Sequence, residues 1–212
     1  MNTLEYIVKK FNLNLDEKSP IEIPNTGRET LANLFKELGF KIGVEIGVQV
    51  GIYSEMLLQA NSELKLYGVD PWTFYDTAGN FRTKGQLDEH YNAAVKRLTP
   101  YKNYVIIKKS STDAVKDFED DSLDFVFIDA DHEYLHAVQD IVLWSKKVKK
   151  GGIVSGHDYR LSTYKNTRLH VVYALDGYIK AYKIKQWFIL GRKEKIEGEI
   201  RDKYRSWFWV KQ

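Results

Sequence analysis

Apolar residues recur along the chain at two different spacings, and these spacings predict helices that alternate with strands. In residues 28–38, apolar side chains three or four positions apart share one face of a helix, and Gly39 follows as a stop signal. The same spacing recurs at residues 52–60, 86–98 and 133–148. Short β-rich runs separate these helices, namely KIGVEIG, KLYGVD, NYVIIKK, LDFVFIDAD and GIVSGHD. The pattern predicts an α/β fold whose mainly parallel sheet is covered by helices on both faces.

The C-terminal region predicts how the sheet is completed. The apolar runs WFILG and SWFWV flank a charged stretch and predict an antiparallel strand pair. No repeat or linker divides the 212 residues, and this length suits a single domain. We expect a helical extension over residues 1–39, followed by the sheet-containing domain over residues 40–212. Residues 1–27 could form an arm onto a second copy of the chain, which would make a homo-oligomer.

Charge and composition narrow the class of protein. The formal net charge is only +3, and basic residues near the C-terminus alternate with acidic ones, which argues against a nucleic-acid partner. The absence of cysteine excludes disulfides and thiolate chemistry. The first residues lack the apolar core of a signal peptide, and no segment is apolar enough to span a membrane. The expected location is therefore the cytoplasm, without membrane contact.

The run GVEIGVQVG, residues 43–51, places an acidic residue inside a predicted buried strand. A buried carboxylate needs a partner that offsets its desolvation, so Glu45 is either paired within the protein or faces a ligand at the strand's end. Glu45, Gly47 and Gly51 give the pattern E-x-G-x-x-x-G, which is not the G-x-G-x-x-G of dinucleotide-binding folds. An acid stands where the first glycine of that motif would be. An acid repels pyrophosphate but attracts an ammonium group, so the motif favours a ligand such as S-adenosylmethionine.

More polar residues follow the other predicted strands, at the ends where open parallel sheets bind ligands. Asp70 ends the second strand, about 20 residues after the glycine motif, a separation that suits an acid bound to ribose hydroxyls. Asp129, Asp131 and His132 end the fourth predicted strand, and His157 and Asp158 end the fifth. These strand ends form the candidate site.

In chain order, VEIGVQVGIYS, YGVDPW, DFVFIDADHEY and GGIVSGHDY resemble the successive motifs of class I S-adenosylmethionine-dependent methyltransferases. The resemblance covers residues 40–160 and is closest to the branch of small-molecule O-methyltransferases that includes macrolide sugar methyltransferases. It implies a Rossmann-like sheet of seven strands, mostly parallel with an antiparallel last strand. It also implies methyl transfer from S-adenosylmethionine to a small hydroxylated molecule, a sugar or a glycosylated natural product, assisted by a divalent cation.

The resemblance implies a role for each matched residue. The cofactor-binding residues would be Glu45, Gly47 and Gly51 at the methionine moiety, Asp70 at the ribose, Ser111 and Asp113 beside adenine, and Asp129 where cofactor and acceptor meet. The metal ligands would be Asp129, His157 and Asp158, and the catalytic residues would be Asp129 and His132. Two carboxylates and one imidazole suit Mg²⁺ or Mn²⁺, while the imidazole leaves iron or zinc open. His132 would be the base, since an ordinary histidine pKa of about 6.5 suits proton transfer.

Simpler roles compete with these assignments. Asp131 would cap the helix that follows it, and His132 would be a solvated residue of its first turn. Residues 71–85 mix aromatic and turn-forming residues, as lids over sites do, and we expect residues 72–85 to order when a ligand binds. Trp72, Tyr75 and Asp131 are candidate acceptor contacts, unless the aromatic side chains only pack this lid onto the body.

Other functions stay open on the sequence alone. The same fold could methylate RNA or protein, although the low net charge disfavours RNA. A nucleotide-binding oxidoreductase is disfavoured by Glu45 and by the missing third glycine. A catalytically silent binding protein would retain the same motifs.

Overall fold

The computed structural model describes residues 1–73, 83–161 and 169–212, and within them eight strands form one sheet. The strands are β1 (Ile21–Ile23), β2 (Ile42–Ile46), β3 (Lys65–Val69), β4 (Tyr104–Ile107), β5 (Leu123–Ile128), β6 (Val148–Tyr159), β7 (Phe188–Leu190) and β8 (Arg205–Val210). The helices are α1 (Thr3–Phe11), α2 (Arg28–Glu37), α3 (Ile52–Ala60), α4 (Lys84–Leu98), α5 (Ser111–Ala114), α6 (Tyr134–Lys147) and α7 (Val171–Ala181). None of the described helices is long and apolar enough to cross a membrane.

The strand order across the sheet is β1-β7-β8-β6-β5-β2-β3-β4. β8 runs antiparallel to its neighbours β6 and β7, whereas the other neighbouring strands run parallel to each other. The predicted fold class, a mostly parallel α/β sheet with an antiparallel last strand, is confirmed. The described sheet has one strand more than the seven expected, because β1 of the N-terminal extension pairs with β7. The extension is therefore not purely helical.

Both faces of the sheet are covered because its central strand β5 is apolar on both sides. Phe125 belongs to the core that includes α2 and α3, and its ring stacks on that of Phe35 with the ring centres 3.9 Å apart. The next residue, Val126, belongs to the opposite core, which includes α6 and α7. Four tryptophans, Trp144, Trp187, Trp207 and Trp209, are buried in this second core.

The strand order reverses beside β2. This strand pairs with β3 on one side and with β5 on the other, so the two helices that follow β2 and β5 lie on opposite faces of the sheet. Open parallel sheets leave a crevice at such a point, outside the carboxyl ends of the strands. The predicted site residues follow the strands that meet there.

Candidate active site

The loop between β2 and α3, residues 47–51, opens the candidate site. Gly47 and Gly51 both adopt left-handed backbone conformations, with φ of +89° and +79°. A Cβ atom on Gly47 would lie 2.1 Å from the backbone oxygen of Asp129, and one on Gly51 would lie 2.6 Å from Cδ1 of Leu98. Glycine is therefore needed at both predicted positions. The close approach seen here is between the loop and the rest of the protein.

Asp70 follows β3 and holds this loop in place. One carboxylate oxygen accepts hydrogen bonds from the backbone N–H groups of Val48, at 3.0 Å, and Gln49, at 2.9 Å. The other oxygen accepts from the N–H of Trp72 at 2.8 Å. Asp70 thus braces the glycine loop at the edge of the crevice, and its contact with ribose hydroxyls stays a prediction.

Trp72 is tied to the same loop. Its indole Nε1–H donates to the backbone oxygen of Gln49 at 2.7 Å, and its ring meets that of Tyr91 edge-on, with the centres 5.0 Å apart. Only 5% of the residue is exposed, so Trp72 packs the start of the predicted lid onto the body. Its acceptor contact stays a prediction. Tyr75 and the lid residues 74–82 lie outside the described residues.

Glu45 lies in β2 with only 2% of its surface exposed. Its hydrogen-bond partner is a neutral hydroxyl, since Ser54 of α3 donates to Oε2 of Glu45 and itself lies 3.2 Å from the hydroxyl of Tyr104. Burial raises the pKa of Glu45 to about 8, although the Ser54 hydrogen bond and the charge of Arg28 lower it. At neutral pH the protonated acid is therefore the more stable form. A cationic ligand group would favour the ionised form.

Three predicted site residues meet after β5 and at the end of β6. Nε2 of His132 lies 2.8 Å from Oδ2 of Asp158 and 3.7 Å from Oδ1 of Asp129. One ligand atom from each of the three residues lies within 4.8 Å of the other two, so the group could hold a metal ion. We call Asp129, His132 and Asp158 the carboxylate–histidine cluster.

The charges in this cluster are coupled. Burial disfavours a charged imidazole, but the nearby carboxylates of Asp129 and Asp158 outweigh it and raise the pKa of His132 to about 10. Burial also works against the charge of Asp158, yet the imidazoles of His132 and His157, 2.8 Å and 3.6 Å away, hold the pKa of Asp158 well below its usual range. At neutral pH the protein alone therefore pairs an imidazolium with a carboxylate. To act as the predicted base, His132 has to lose that proton first.

His157, the predicted third metal ligand, lies beside this cluster. Its Nδ1 is 3.7 Å from Oδ1 of Asp129 and 3.6 Å from Oδ2 of Asp158. The residue is 7% exposed, and its Nε2 has no hydrogen-bond partner among the residues that the structure describes. His132 is thus the closer imidazole to Asp158, and the ligand role of His157 stays a prediction.

The backbone of Asp158 is in an uncommon conformation for a residue with a Cβ atom. Its φ is +58°, in the left-handed region, and its carbonyl oxygen accepts a hydrogen bond from the N–H of Arg160 at 2.7 Å. Strained residues of this kind persist where the surrounding structure imposes the conformation, and they concentrate at functional sites. The turn at Asp158 therefore interrupts the regular backbone of β6 near its end, where the register with β8 shifts between Gly156 and Tyr159.

Asp131 belongs to a neighbouring pair. Its Oδ2 lies 2.8 Å from Nδ1 of His136, and its Oδ1 accepts from the N–H of Glu133 at 3.0 Å. The alternative role for Asp131 as the cap of the following helix is wrong, because the N-cap of α6 is Glu133, whose carboxylate accepts from the N–H of Leu135. Asp131 instead stabilises the turn before the helix, and its acceptor contact stays a prediction.

The two residues predicted beside adenine both lie in α5. Ser111 donates a hydrogen bond to the buried Asp140 of α6, whose pKa is raised to about 6 by burial. Asp113 has a 64% exposed side chain and pairs with Lys116 at 2.8 Å. Ser111 therefore joins α5 to α6, Asp113 lies on the surface, and both adenine contacts stay predictions.

Arg28 enters the site from outside the predicted motifs. It is the first residue of α2, and its Nη1 lies 3.9 Å from Oδ2 of Asp129. Its guanidinium carbon is 5.6 Å from the centre of the Tyr53 ring in α3. In the sequence Arg28 is an ordinary polar residue before an amphipathic helix, so no local signal marks it. Only the fold brings it to the strand ends.

Comparison with known proteins assigns this geometry to a family. Residues 44–159, which contain the glycine loop and the carboxylate–histidine cluster, match a family described as a methyltransferase domain. The chain belongs to this methyltransferase family. The predicted enzyme class is therefore confirmed. No curated protein matches the sequence of this methyltransferase.

Solved structures share the fold of this methyltransferase at low sequence identity. An O-methyltransferase from Bacillus cereus in complex with S-adenosylhomocysteine is 15% identical, with a TM-score of 0.61 over 99% of this chain and 90% of that chain. TomG from Streptomyces achromogenes, an O-methyltransferase of tomaymycin synthesis in complex with S-adenosylmethionine, is 14% identical, with a TM-score of 0.60 over the same shares. A Clostridium thermocellum protein described as a candidate rRNA methylase is 13% identical, with a TM-score of 0.59 over 88% and 98%. These likenesses confirm the class I methyltransferase fold.

Asp70→Ala should weaken the binding of S-adenosylhomocysteine to this methyltransferase by at least about 10-fold. The substitution removes charge-assisted hydrogen bonds worth about 1.5–3 kcal/mol each and also loosens the glycine loop. Isothermal titration calorimetry measures the affinity. Asp120→Ala is the control, since it removes an exposed acid, paired with Lys147, before the amino end of β5. Equal affinities for Asp70→Ala and wild type would remove Asp70 from the cofactor site.

Proposed function

We propose that this methyltransferase transfers a methyl group from S-adenosylmethionine to a hydroxyl group of a small molecule, a sugar or a glycosylated natural product, assisted by a divalent cation. The observation that carries the proposal is the carboxylate–histidine cluster at the carboxyl ends of β5 and β6. Transfer to oxygen requires the hydroxyl proton to leave. Two carboxylates and an imidazole beside the crevice suit that requirement.

The choice of methyl donor rests on the crevice beside β2. Glu45 is buried with a neutral partner, so an ammonium group from a ligand would stabilise its charged form. The acid also stands where a pyrophosphate-binding loop would have glycine, which favours a cofactor without phosphate. The Bacillus cereus and Streptomyces achromogenes structures contain S-adenosylhomocysteine and S-adenosylmethionine. Their shared fold supports the same cofactor here.

The donor atoms of Asp129, Asp158 and His157 lie at spacings near those of a divalent-cation site. Mg²⁺ binds oxygen ligands about 2.1 Å away in octahedral geometry, so adjacent ligand atoms lie roughly 3 Å apart. Nδ1 of His157 lies 3.7 Å from Oδ1 of Asp129 and 3.6 Å from Oδ2 of Asp158. In this proposal Asp129 and Asp158 hold the ion, and His157 is the predicted third ligand. When bound, the ion would lower the pKa of the acceptor hydroxyl and fix its direction.

His132 accepts the hydroxyl proton at Nε2 in this proposal. Because its pKa is raised to about 10 by Asp129 and Asp158 against the effect of burial, His132 must release its own proton before it acts. Oδ2 of Asp158 lies 2.8 Å from the same nitrogen, so this carboxylate stabilises the imidazolium that forms when Nε2 takes up the proton.

A small acceptor is proposed rather than RNA on grounds of charge. The formal net charge is only +3, whereas neutralisation of several phosphates requires an excess of Lys and Arg on one face. The likeness to the Clostridium thermocellum protein concerns the fold alone. It gives no reason to prefer RNA.

Chelation tests the proposal. Methyl-labelled S-adenosylmethionine is incubated with the protein and a panel of nucleotide sugars, macrolide glycosides and catechols, with Mg²⁺, Mn²⁺ or excess EDTA. We expect transfer with either metal and a loss of at least about 100-fold in EDTA, while the affinity for S-adenosylhomocysteine stays nearly unchanged because the ion serves the acceptor. Undiminished turnover in EDTA would exclude the metal. A protein that does not bind S-adenosylhomocysteine would overturn the choice of donor.

A further inference from the structure

Arg28 is a cation in the crevice to which the proposed reaction gives no task. The methionyl group of S-adenosylmethionine is a zwitterion, with an ammonium and a carboxylate on the same carbon. Glu45 can balance the ammonium. The carboxylate needs a positive partner or several hydrogen-bond donors, because a desolvated anion is costly without them.

Hydrogen bonds hold the backbone of Arg28 in place, whereas its guanidinium makes only long contacts with carboxylates. Its backbone N–H donates to Oδ2 of Asp202 at 2.8 Å, and its backbone oxygen accepts from the hydroxyl of Tyr53 at 3.3 Å. Its guanidinium, in contrast, reaches Asp129 and Asp202 only at 3.9 Å, which is too long for a hydrogen bond. Its Nε is buried without a hydrogen-bond partner among the described residues. Arginine has five N–H donors, so this one has donors to offer a ligand.

The neighbours of Arg28 locate it at one end of the crevice. Its charge acts on Glu45 and lowers the pKa of that acid against the larger effect of burial. Its guanidinium carbon lies 5.6 Å from the ring centre of Tyr53, in the first turn of α3 directly after the glycine loop. Asp70, the predicted ribose partner, stands on the other side of that loop, after β3. Arg28 therefore lies at the end where an amino-acid group would be held.

We propose that Arg28 binds the carboxylate of the cofactor's methionyl group, so that Arg28 and Glu45 together recognise a zwitterion. This inference rests on the proposed use of S-adenosylmethionine as donor. A guanidinium presents two parallel N–H groups that match the two oxygens of a carboxylate. One third of the side chain is exposed, so a ligand can reach it. Arg28 precedes residues 44–159, so the cofactor site extends beyond the part of the chain that matches the family.

The test measures the binding of two probes to wild type and Arg28→Gln by calorimetry. S-adenosylhomocysteine carries the carboxylate, whereas decarboxylated S-adenosylhomocysteine keeps the adenosine and the ammonium but lacks it. We expect Arg28→Gln to bind S-adenosylhomocysteine about 10- to 100-fold more weakly than wild type does. The decarboxylated probe should bind to Arg28→Gln and to wild type with nearly the same affinity. Arg192→Gln is the matched control, because Arg192 is 45% exposed and paired with Glu199, and it should bind both probes as wild type does.

Other binding results would contradict either the role of Arg28 or the choice of cofactor. Equal losses of affinity for both probes would overturn the inference, because Arg28 would then only support the shape of the crevice. Unchanged affinity for S-adenosylhomocysteine would overturn it as well. If Arg28→Gln does not fold, Arg28→Lys replaces it, with a smaller loss again confined to the probe that carries the carboxylate. Wild-type protein that binds neither probe would show that the proposed cofactor itself is wrong.

Discussion

Asp158→Asn should lose divalent-metal binding and methyl transfer together, while S-adenosylhomocysteine still binds with nearly wild-type affinity. Asp158 is one of the two acids proposed to hold the ion, and it also lies 2.8 Å from His132. An amide has no charge and offers a single acceptor oxygen. We expect the affinity for Mn²⁺, followed by electron paramagnetic resonance, to fall at least about 100-fold. Transfer to an acceptor found in the panel should fall by at least as much.

The matched control is Asp131→Asn, which neutralises a neighbouring acid that pairs with His136 outside the cluster. It should bind Mn²⁺ as wild type does. His157→Ala should weaken Mn²⁺ binding, whereas His132→Ala should slow transfer without loss of the metal. The reverse result for the two histidines would make the observed cluster the ligand set and remove His132 as the base. Wild-type Mn²⁺ affinity in Asp158→Asn would contradict the metal site.

The sheet was predictable where burial imposes a pattern. β5 is buried at every position and apolar at all but Asp124, because both faces of it are covered. β1 is different, since its three residues lie between Pro20 and Pro24 and are too few to show a period. Its place at the edge depends on pairing with β7, far along the chain. Helix α7 is not among the predicted elements either, because Gly177 interrupts its apolar pattern.

The site was predictable as a set of strand ends but not as a set of contacts. Parallel strands bring their carboxyl ends to one edge, so the acids at the ends of β3, β5 and β6 had to share that edge of the sheet. Which imidazole comes closer to Asp158 depends on differences below 1 Å, 2.8 Å for His132 against 3.6 Å for His157. Arg28 reaches Asp129 from 101 positions earlier in the chain, and no spacing rule covers such a contact. Side-chain direction and long-range packing are what the sequence pattern leaves out.

Glu45→Gln should make the protein more stable than wild type at pH 9 and similarly stable at pH 5. Burial raises the pKa of Glu45 from an ordinary 4.5 to about 8. Between these values the folded state holds a proton that the unfolded state has lost, so the free energy of unfolding falls as the pH rises. At about 1.4 kcal/mol per pH unit, the full loss is on the order of 5 kcal/mol at most. Glutamine stays neutral and avoids this loss.

Urea unfolding of the protein without cofactor, at intervals from pH 5 to pH 9, measures the difference. Asp140→Asn is the matched control, because burial raises the pKa of Asp140 only to about 6. Its gain relative to wild type should therefore develop between about pH 4 and pH 6 and stay constant above pH 8. Parallel pH profiles for wild type and Glu45→Gln between pH 6 and pH 9 would show that Glu45 is ionised in the folded protein.

The same acid should make cofactor binding release a proton. At pH 7 a group with a pKa of about 8 is mostly protonated, and the ammonium of a bound cofactor favours the ionised form. Binding of S-adenosylhomocysteine should then release nearly one proton per protein, which calorimetry detects as a binding enthalpy that depends on the ionisation enthalpy of the buffer. Glu45→Gln should bind more weakly and release none. Release of a full proton by Glu45→Gln would assign the proton to another group, and Glu45 would then be a buried structural acid paired with Ser54.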